Sequence, residues 1–150
     1  MVKNLHGQKN LYYQVNATYY SALGESDEKM LLARAIQMFM PGKPQIWYLD
    51  LFAREKNDHE AVQRAGESGH KEINRTNISV DQIAEGLKKD VVQKQLALIR
   101  MRNTHKAFSE GAEVTISGEE SSLEIRWEYD GAYAELHVNF EEGTYTIESN

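Results

Sequence analysis

The stretch Ile46-Trp47-Tyr48-Leu49-Asp50-Leu51-Phe52 decides how the first two-thirds of the chain is read. It is nearly continuous in apolar and aromatic residues, and Pro41-Gly42-Lys43-Pro44 stands just before it. A β-strand buried on both faces has this composition, because both alternating side-chain directions must then be apolar. Upstream, Asp27 to Met40 reads as a helix. Ser26 can cap it, Asp27 and Glu28 suit the positive end of its dipole, and Pro41-Gly42 stops it. Met30, Leu31, Ala33, Ala35, Ile36, Met38 and Phe39 leave a thin polar strip at Lys29, Arg34 and Gln37, so the helix is expected to be covered on most sides. Helix, short turn, buried strand is an α/β signature. A single strand of this kind makes no sheet, so it should pair with something beyond this sequence. Its exposed edges predict self-association of the chain by itself.

Downstream, residues 53–77 are polar, carry Gly66 and Gly69, and hold no period. A loop of this length in a compact domain is usually functional or disordered. Ser79-Val80-Asp81-Gln82 makes a capping box for a short helix to about Leu87, and Asp90-Val91-Val92-Gln93 is expected to open another by the same device. On that second helix Val92, Leu96 and Ile99 face one way, leaving Lys94, Arg100 and Arg102 to solvent. After Phe108 the period becomes two. Leu123, Ile125, Trp127 and Tyr129 alternate with Ser122, Glu124, Arg126 and Glu128. Asp130-Gly131 is a hairpin turn, and Ala134, Leu136, Val138 and Phe140 alternate back. Val114 to Ser117 reads as an earlier strand, and Tyr145 and Ile147 follow Gly143 in a last one. The fold class is thus α/β plus all-β, dividing into residues 1–108 and a small antiparallel sheet at 109–150.

Composition narrows the function. The 150 residues carry a formal net charge of -6 and no cysteine, which excludes disulfides and thiolate chemistry and disfavours nucleic acid as a partner. No apolar signal core follows Met1, and no apolar run is long enough to span a membrane, so a cytoplasmic protein without a membrane partner is the default. The five histidines, at 6, 59, 70, 105 and 137, show no metal-ligand spacing. Neither a phosphate-binding glycine loop nor a nucleophile elbow is present, and no cofactor or metal is expected. Asp50, inside the apolar stretch, reads first as a strand-end carboxylate in solvent or paired with an arginine, and second as a catalytic one. The tyrosines 12, 13, 19 and 20 read first as packing and second as a stacking platform for sugar. Asn74 and Arg75 lie in the long irregular segment, where functional residues concentrate.

Read as one string, Asn10-Leu11-Tyr12-Tyr13-Gln14-Val15-Asn16-Ala17-Thr18-Tyr19-Tyr20-Ser21-Ala22-Leu23 resembles a stretch of the sucrose phosphorylases, of the α-amylase superfamily of glycoside hydrolases and transglycosidases. The likeness continues through Ala33-Arg34-Ala35-Ile36-Gln37 and Pro41-Gly42-Lys43-Pro44-Gln45-Ile46-Trp47-Tyr48. It resumes at Glu72-Ile73-Asn74-Arg75, Val91-Val92 and Arg100-Met101-Arg102-Asn103, in the family's order, while the C-terminal strands match only in pattern.

This resemblance implies a (β/α)₈ barrel followed by a small β domain. Ile46–Phe52 would be the eighth barrel strand, and 1–108 the C-terminal portion of a barrel. A whole barrel takes about 250 residues, so the resemblance implies part of a longer enzyme. Its chemistry is retaining glucosyl transfer from sucrose to inorganic phosphate, with a carboxylate nucleophile and a carboxylic acid on earlier strands. None of these catalytic groups matches a residue here, so the chain alone is expected to be inactive. What it would contribute is substrate binding: Tyr13 and Gln14 on the acceptor side and Arg75 on the glucosyl unit. Leu11 stands where these enzymes commonly carry an aspartate that helps to hold fructose, which leaves sucrose 6'-phosphate and glucosylglycerol open as substrates of the parent. A free-standing binding or interaction module is the reading from another class.

Overall fold

A computed structural model describes residues 17–54, 63 and 75–150. The first described elements are α1 (Tyr19–Ala22), α2 (Asp27–Phe39) and α3 (Tyr48–Leu51). They are followed by α4 (Val80–Gly86), α5 (Asp90–Thr104) and a 3-10 turn at Lys106–Phe108. Strands β1 (Glu113–Glu119), β2 (Ser122–Tyr129), β3 (Ala132–Asn139) and β4 (Thr144–Ser149) complete the chain.

The four strands form one antiparallel meander in the order β1-β2-β3-β4. Leu123 faces Val138, Ile125 faces Leu136 and Trp127 faces Ala134 across the central pair. The turn between them falls at Asp130-Gly131, with φ of 45° and 76°. Two successive positive φ values give the turn whose twist matches the flanking strands, which is why this dipeptide marks a hairpin. One face of the sheet is buried: Ile125, Trp127, Ala134, Leu136 and Val138 join Ala35, Met38 and Phe39 of α2, Leu98 of α5 and Ala107 in one core. The Trp127 indole N–H donates to the Phe39 carbonyl at 2.6 Å, tying β2 to the end of α2. Phe140, expected to continue the buried face, lies just past β3 and is 45% exposed.

The N-terminal part of α2 feeds a second core, in which Met30 and Leu31 meet Phe52, Ala53, Val91 and Val92. Ser26 caps α2 by accepting from the Lys29 N–H, and the capping box at Ser79 and Gln82 is complete at α4. At α5 the expected device is absent. Lys89 is the cap residue and offers no side-chain bond, while Asp90 sits in the first turn and pairs with Lys94 at 2.6 Å.

Three further expectations need correction. Ile46–Phe52 is not a strand. The chain is irregular from 43 to 47 and then turns helical, with the Leu51 and Phe52 N–H groups donating to the carbonyls of Trp47 and Tyr48 at 3.0 and 3.2 Å. With no neighbouring strand described, these donors find local partners. Arg34, read as part of a thin polar strip, is only 2% exposed. Arg102, assigned to solvent, stacks over the rings of Trp127 and Phe108 at 4.2 and 4.7 Å. It donates to the Gly42 carbonyl at 3.0 Å as well. Its guanidinium is flat and weakly hydrated enough to pack on aromatic faces. Among the described residues, no helix is long and apolar enough to cross a membrane.

Candidate functional site

The single-turn helix α3 is where distant parts of the chain are joined. Leu49 is fully buried and roots the turn in the interior. Residues two apart on a helix point in different directions, and Tyr48 and Asp50 use this to reach two different segments. The Tyr48 hydroxyl donates to the Thr76 carbonyl at 2.6 Å, next to Arg75. On the other side, Asp50 Oδ1 accepts the Tyr19 N–H at 2.7 Å, at the first residue of α1. The C-terminal end of the turn is held from α5, where Gln95 Nε2 donates to the Leu51 carbonyl at 3.0 Å.

Gln95 is itself fully buried, and its carbonyl oxygen accepts from Arg34 Nε at 2.9 Å. Arg34 Nη1 donates to Gln37 Oε1, and Gln37 Nε2 donates to the Gln45 carbonyl at 2.9 Å. A chain of polar contacts therefore runs from α3 through α5 to α2 and on to Gln45, ahead of α3. Arg34 Nη2 is buried with no hydrogen-bond partner among the described residues. Burial holds Arg34 below its ordinary basicity, with Asp50 acting against that. Burial likewise pushes the Asp50 carboxyl above the usual aspartate value, opposed by the Tyr19 N–H and by Arg34. Both shifts mark charges whose desolvation outweighs their mutual attraction.

Between these groups lies an open cleft of about 350 Å³ lined by Tyr19, Arg34, Gln37, Gln45, Trp47 and Asp50. It offers a carboxylate, a guanidinium, two amides and the edge of a half-exposed indole. Such a set suits hydrogen bonding to hydroxyls and main-chain groups. Among the described residues no three His, Asp or Glu side chains gather as a metal site would require.

Of the residues singled out from sequence, Arg75 is described and exposed, on the irregular segment leading into α4. Tyr13 and Gln14 lie outside the described residues. Asp50, read first as a strand-end carboxylate in solvent or paired with an arginine, instead lies half-buried on a helical turn and accepts the Tyr19 N–H. Tyr48, Arg34 and Gln95 were not singled out for this junction of segments. A glutamine and an arginine inside otherwise apolar helix faces were the available signals.

No protein-family model matches the chain. Over 149 residues it is 50% identical to the sucrose 6(F)-phosphate phosphorylase of Ilumatobacter coccineus, a match covering 97% of this chain and 28% of that enzyme. It is 41% identical over 135 residues to the sucrose phosphorylase of Agrobacterium vitis, covering 90% of this chain and 27% of that one. A solved structure, the sucrose 6F-phosphate phosphorylase of Thermoanaerobacter thermosaccharolyticum, matches with a TM-score of 0.84 at 38% identity over 98% of this chain and 29% of that chain. Sequence and fold together place the chain with enzymes of the α-amylase superfamily. Within that superfamily it belongs to the sucrose phosphorylase group and corresponds to the C-terminal region of those enzymes. It spans only about 28% of the relative's length.

Proposed function

We propose that these residues form the substrate-binding C-terminal part of a retaining glucosyl-transferring phosphorylase. Residues 1–108 complete the catalytic barrel and 109–150 form the β domain packed on it. The nucleophilic aspartate and the acidic glutamate belong to the remaining part of the enzyme. A covalent glucosyl intermediate forms on the aspartate as the acid protonates the departing sugar, and phosphate then takes the glucosyl unit. Arg75 grips the glucosyl unit with its fixed fork of donors, and Tyr13 and Gln14 line the acceptor side. The observation that carries this reading is the match of almost the whole chain, in sequence and in fold, to phosphorylases of one group.

Two observations favour sucrose 6'-phosphate as the parent's substrate. The chain is more similar to a phosphorylase named for that compound than to one named for sucrose. Leu11 also occupies the position where the resemblance expects an aspartate, and a carboxylate there would repel a phosphorylated fructose.

The test is a chimera in which this chain replaces the corresponding region of the Ilumatobacter enzyme. Glucose 1-phosphate release is measured with phosphate and either sucrose or its 6'-phosphate. The reading expects turnover in the ordinary enzyme range, about 1–10³ per second, with the phosphorylated substrate preferred at least tenfold. A folded chimera without turnover would overturn the function, and a preference for sucrose would overturn the choice of substrate. The 150-residue chain alone is expected to release none.

A further inference from the structure

We propose that the cleft lined by Arg34, Trp47 and Asp50 is a docking site for an extended segment from the part of the enzyme outside this chain, which brings a main-chain carbonyl oxygen to Arg34 and covers Trp47. The inference rests on the reading of the chain as the C-terminal part of a longer phosphorylase.

The cleft lacks an acceptor that the described residues do not supply. Arg34 lines it and is buried. Its Nε and Nη1 donate to Gln95 and Gln37, while Nη2 is buried with no hydrogen-bond partner among the described residues. A buried donor left unpaired carries its full desolvation cost, so an oxygen brought to it is bound strongly. The charge already present selects the kind of oxygen. Asp50, on the same cleft, attracts Arg34 and is itself half-buried. A second carboxylate beside it would add like-charge repulsion where water screens poorly. A neutral main-chain carbonyl meets the donor without that cost.

The rim and the backbone fit an extended occupant. Tyr19 and Trp47 line the cleft and are 42% and 49% exposed. Aromatic rings beside an arginine are the side chains that the cores of protein interfaces favour. Trp47 has φ of -77° and ψ of 142°, an extended conformation. Among the described residues the Gln45 and Ile46 N–H groups donate to no main-chain carbonyl. An edge of this kind pairs with another extended segment. The relative at 50% identity matches 97% of this chain, yet the match spans 28% of that enzyme, so the greater part of the enzyme is left to pack against it. The cleft lies within residues 1–108, the portion read as completing the barrel.

Hydroxyl-radical labelling is measured on the 150-residue chain and on the chimera, each ring corrected for its intrinsic reactivity. Trp47 labelling should fall about fivefold from chain to chimera, as a half-exposed ring enters a packed interface. Phe140, 45% exposed just past β3, should stay labelled in both, and buried Trp127 should stay protected in both. In the chimera, Arg34→Met should raise Trp47 labelling about threefold, a lost hydrogen bond to a charged group, with Trp127 still protected. A general loosening of α2 would expose Trp127 as well, because its N–H is held by the Phe39 carbonyl. Trp47 labelled alike in chain and chimera overturns the docking. So does protection of Trp47 in the chain alone that grows with its concentration or on adding sucrose, which would assign the cleft to a second copy or to a sugar. Trp47 unmoved by Arg34→Met, or Trp127 exposed with it, overturns the role of Arg34. If Arg34→Met does not fold, Arg34→Lys, which keeps the charge and loses the second terminal nitrogen, is read in its place. If Trp127 is labelled in the chain alone, that chain is not folded and the chimera decides by itself: Trp47 labelled there as strongly as Phe140 overturns the docking. A folded chimera without turnover counts against the proposed function instead, and its Trp47 labelling still decides the docking.

Discussion

The sheet and the turn at α3 are stabilised in opposite ways. In the sheet each strand pairs with its neighbour in sequence. The central hairpin needs only a two-residue turn, and its buried face packs as a block on α2 and α5. Around α3 the polar contacts are single bonds to residues far away. They run to Tyr19 at 31 residues, to Thr76 at 28 and to Gln95 at 44. A block of many small contacts fails as a unit, whereas a junction of single bonds can open one bond at a time. The sheet is therefore the frame, and α1 and the chain at Thr76 are held by the part whose geometry is easiest to shift.

The largest effect should come from the frame. Trp127 is 7% exposed, fills the core shared by the sheet and α2, and donates to the Phe39 carbonyl. Trp127→Ala should cost about 3–5 kcal/mol in denaturant unfolding and speed exchange everywhere. Faster exchange confined to β2 would break the claim that the sheet and α2 form one unit.

Gln95→Leu should cost less, about 2–3 kcal/mol, because it strands buried Arg34 Nε and the Leu51 carbonyl. Exchange should rise at Leu51 and Phe52 well before it rises in β2 and β3. Equal changes in both regions would remove the distinction drawn between them.

A smaller effect is expected from pH. Because burial raises the Asp50 carboxyl, the folded state holds that proton more tightly than the unfolded chain does. The resulting stabilisation is complete below the unfolded aspartate value of about 4 and is lost as pH rises through the raised folded value. Asp50→Asn has no such loss. Its stability relative to wild type should therefore grow from about pH 3 to pH 7, as read from unfolding midpoints. A gap that shrinks with rising pH would contradict the burial of this carboxylate.

These two regions also differ in how much of them the sequence discloses. Leu123 to Phe140 alternates with period two around Asp130-Gly131, and both signals are local, so the hairpin and its buried face were legible apart from Phe140 at the strand's end. The capping box at Ser79 was legible for the same reason. Ile46–Phe52 has no period, and an unbroken apolar run is compatible with either a strand or a helical turn. Which one forms depends on neighbours outside the run. Arg34 and Gln95 were illegible as a pair because each is made tolerable inside the protein in part by the other, 61 residues away. Arg102 was misread because its burial rests on Trp127 and Phe108, later in the chain. Tyr13 in its tyrosine cluster and Arg75 in its long irregular segment carried weak local signals, but their roles, and Gln14 altogether, came from the resemblance.

The assignment of those residues is tested most directly by the fate of the glucosyl-enzyme in the chimera. Its partition between phosphate, a sugar acceptor and water is measured for Arg75→Ala and for Gln14→Ala. If Arg75 holds the glucosyl unit throughout, its loss should slow every branch alike and leave the partition unchanged, at about 2–4 kcal/mol of lost transition-state stabilisation. Gln14→Ala should shift the partition between sugar and phosphate while sparing hydrolysis. A partition altered by Arg75→Ala, with Gln14→Ala slowing all three branches equally, would contradict the account.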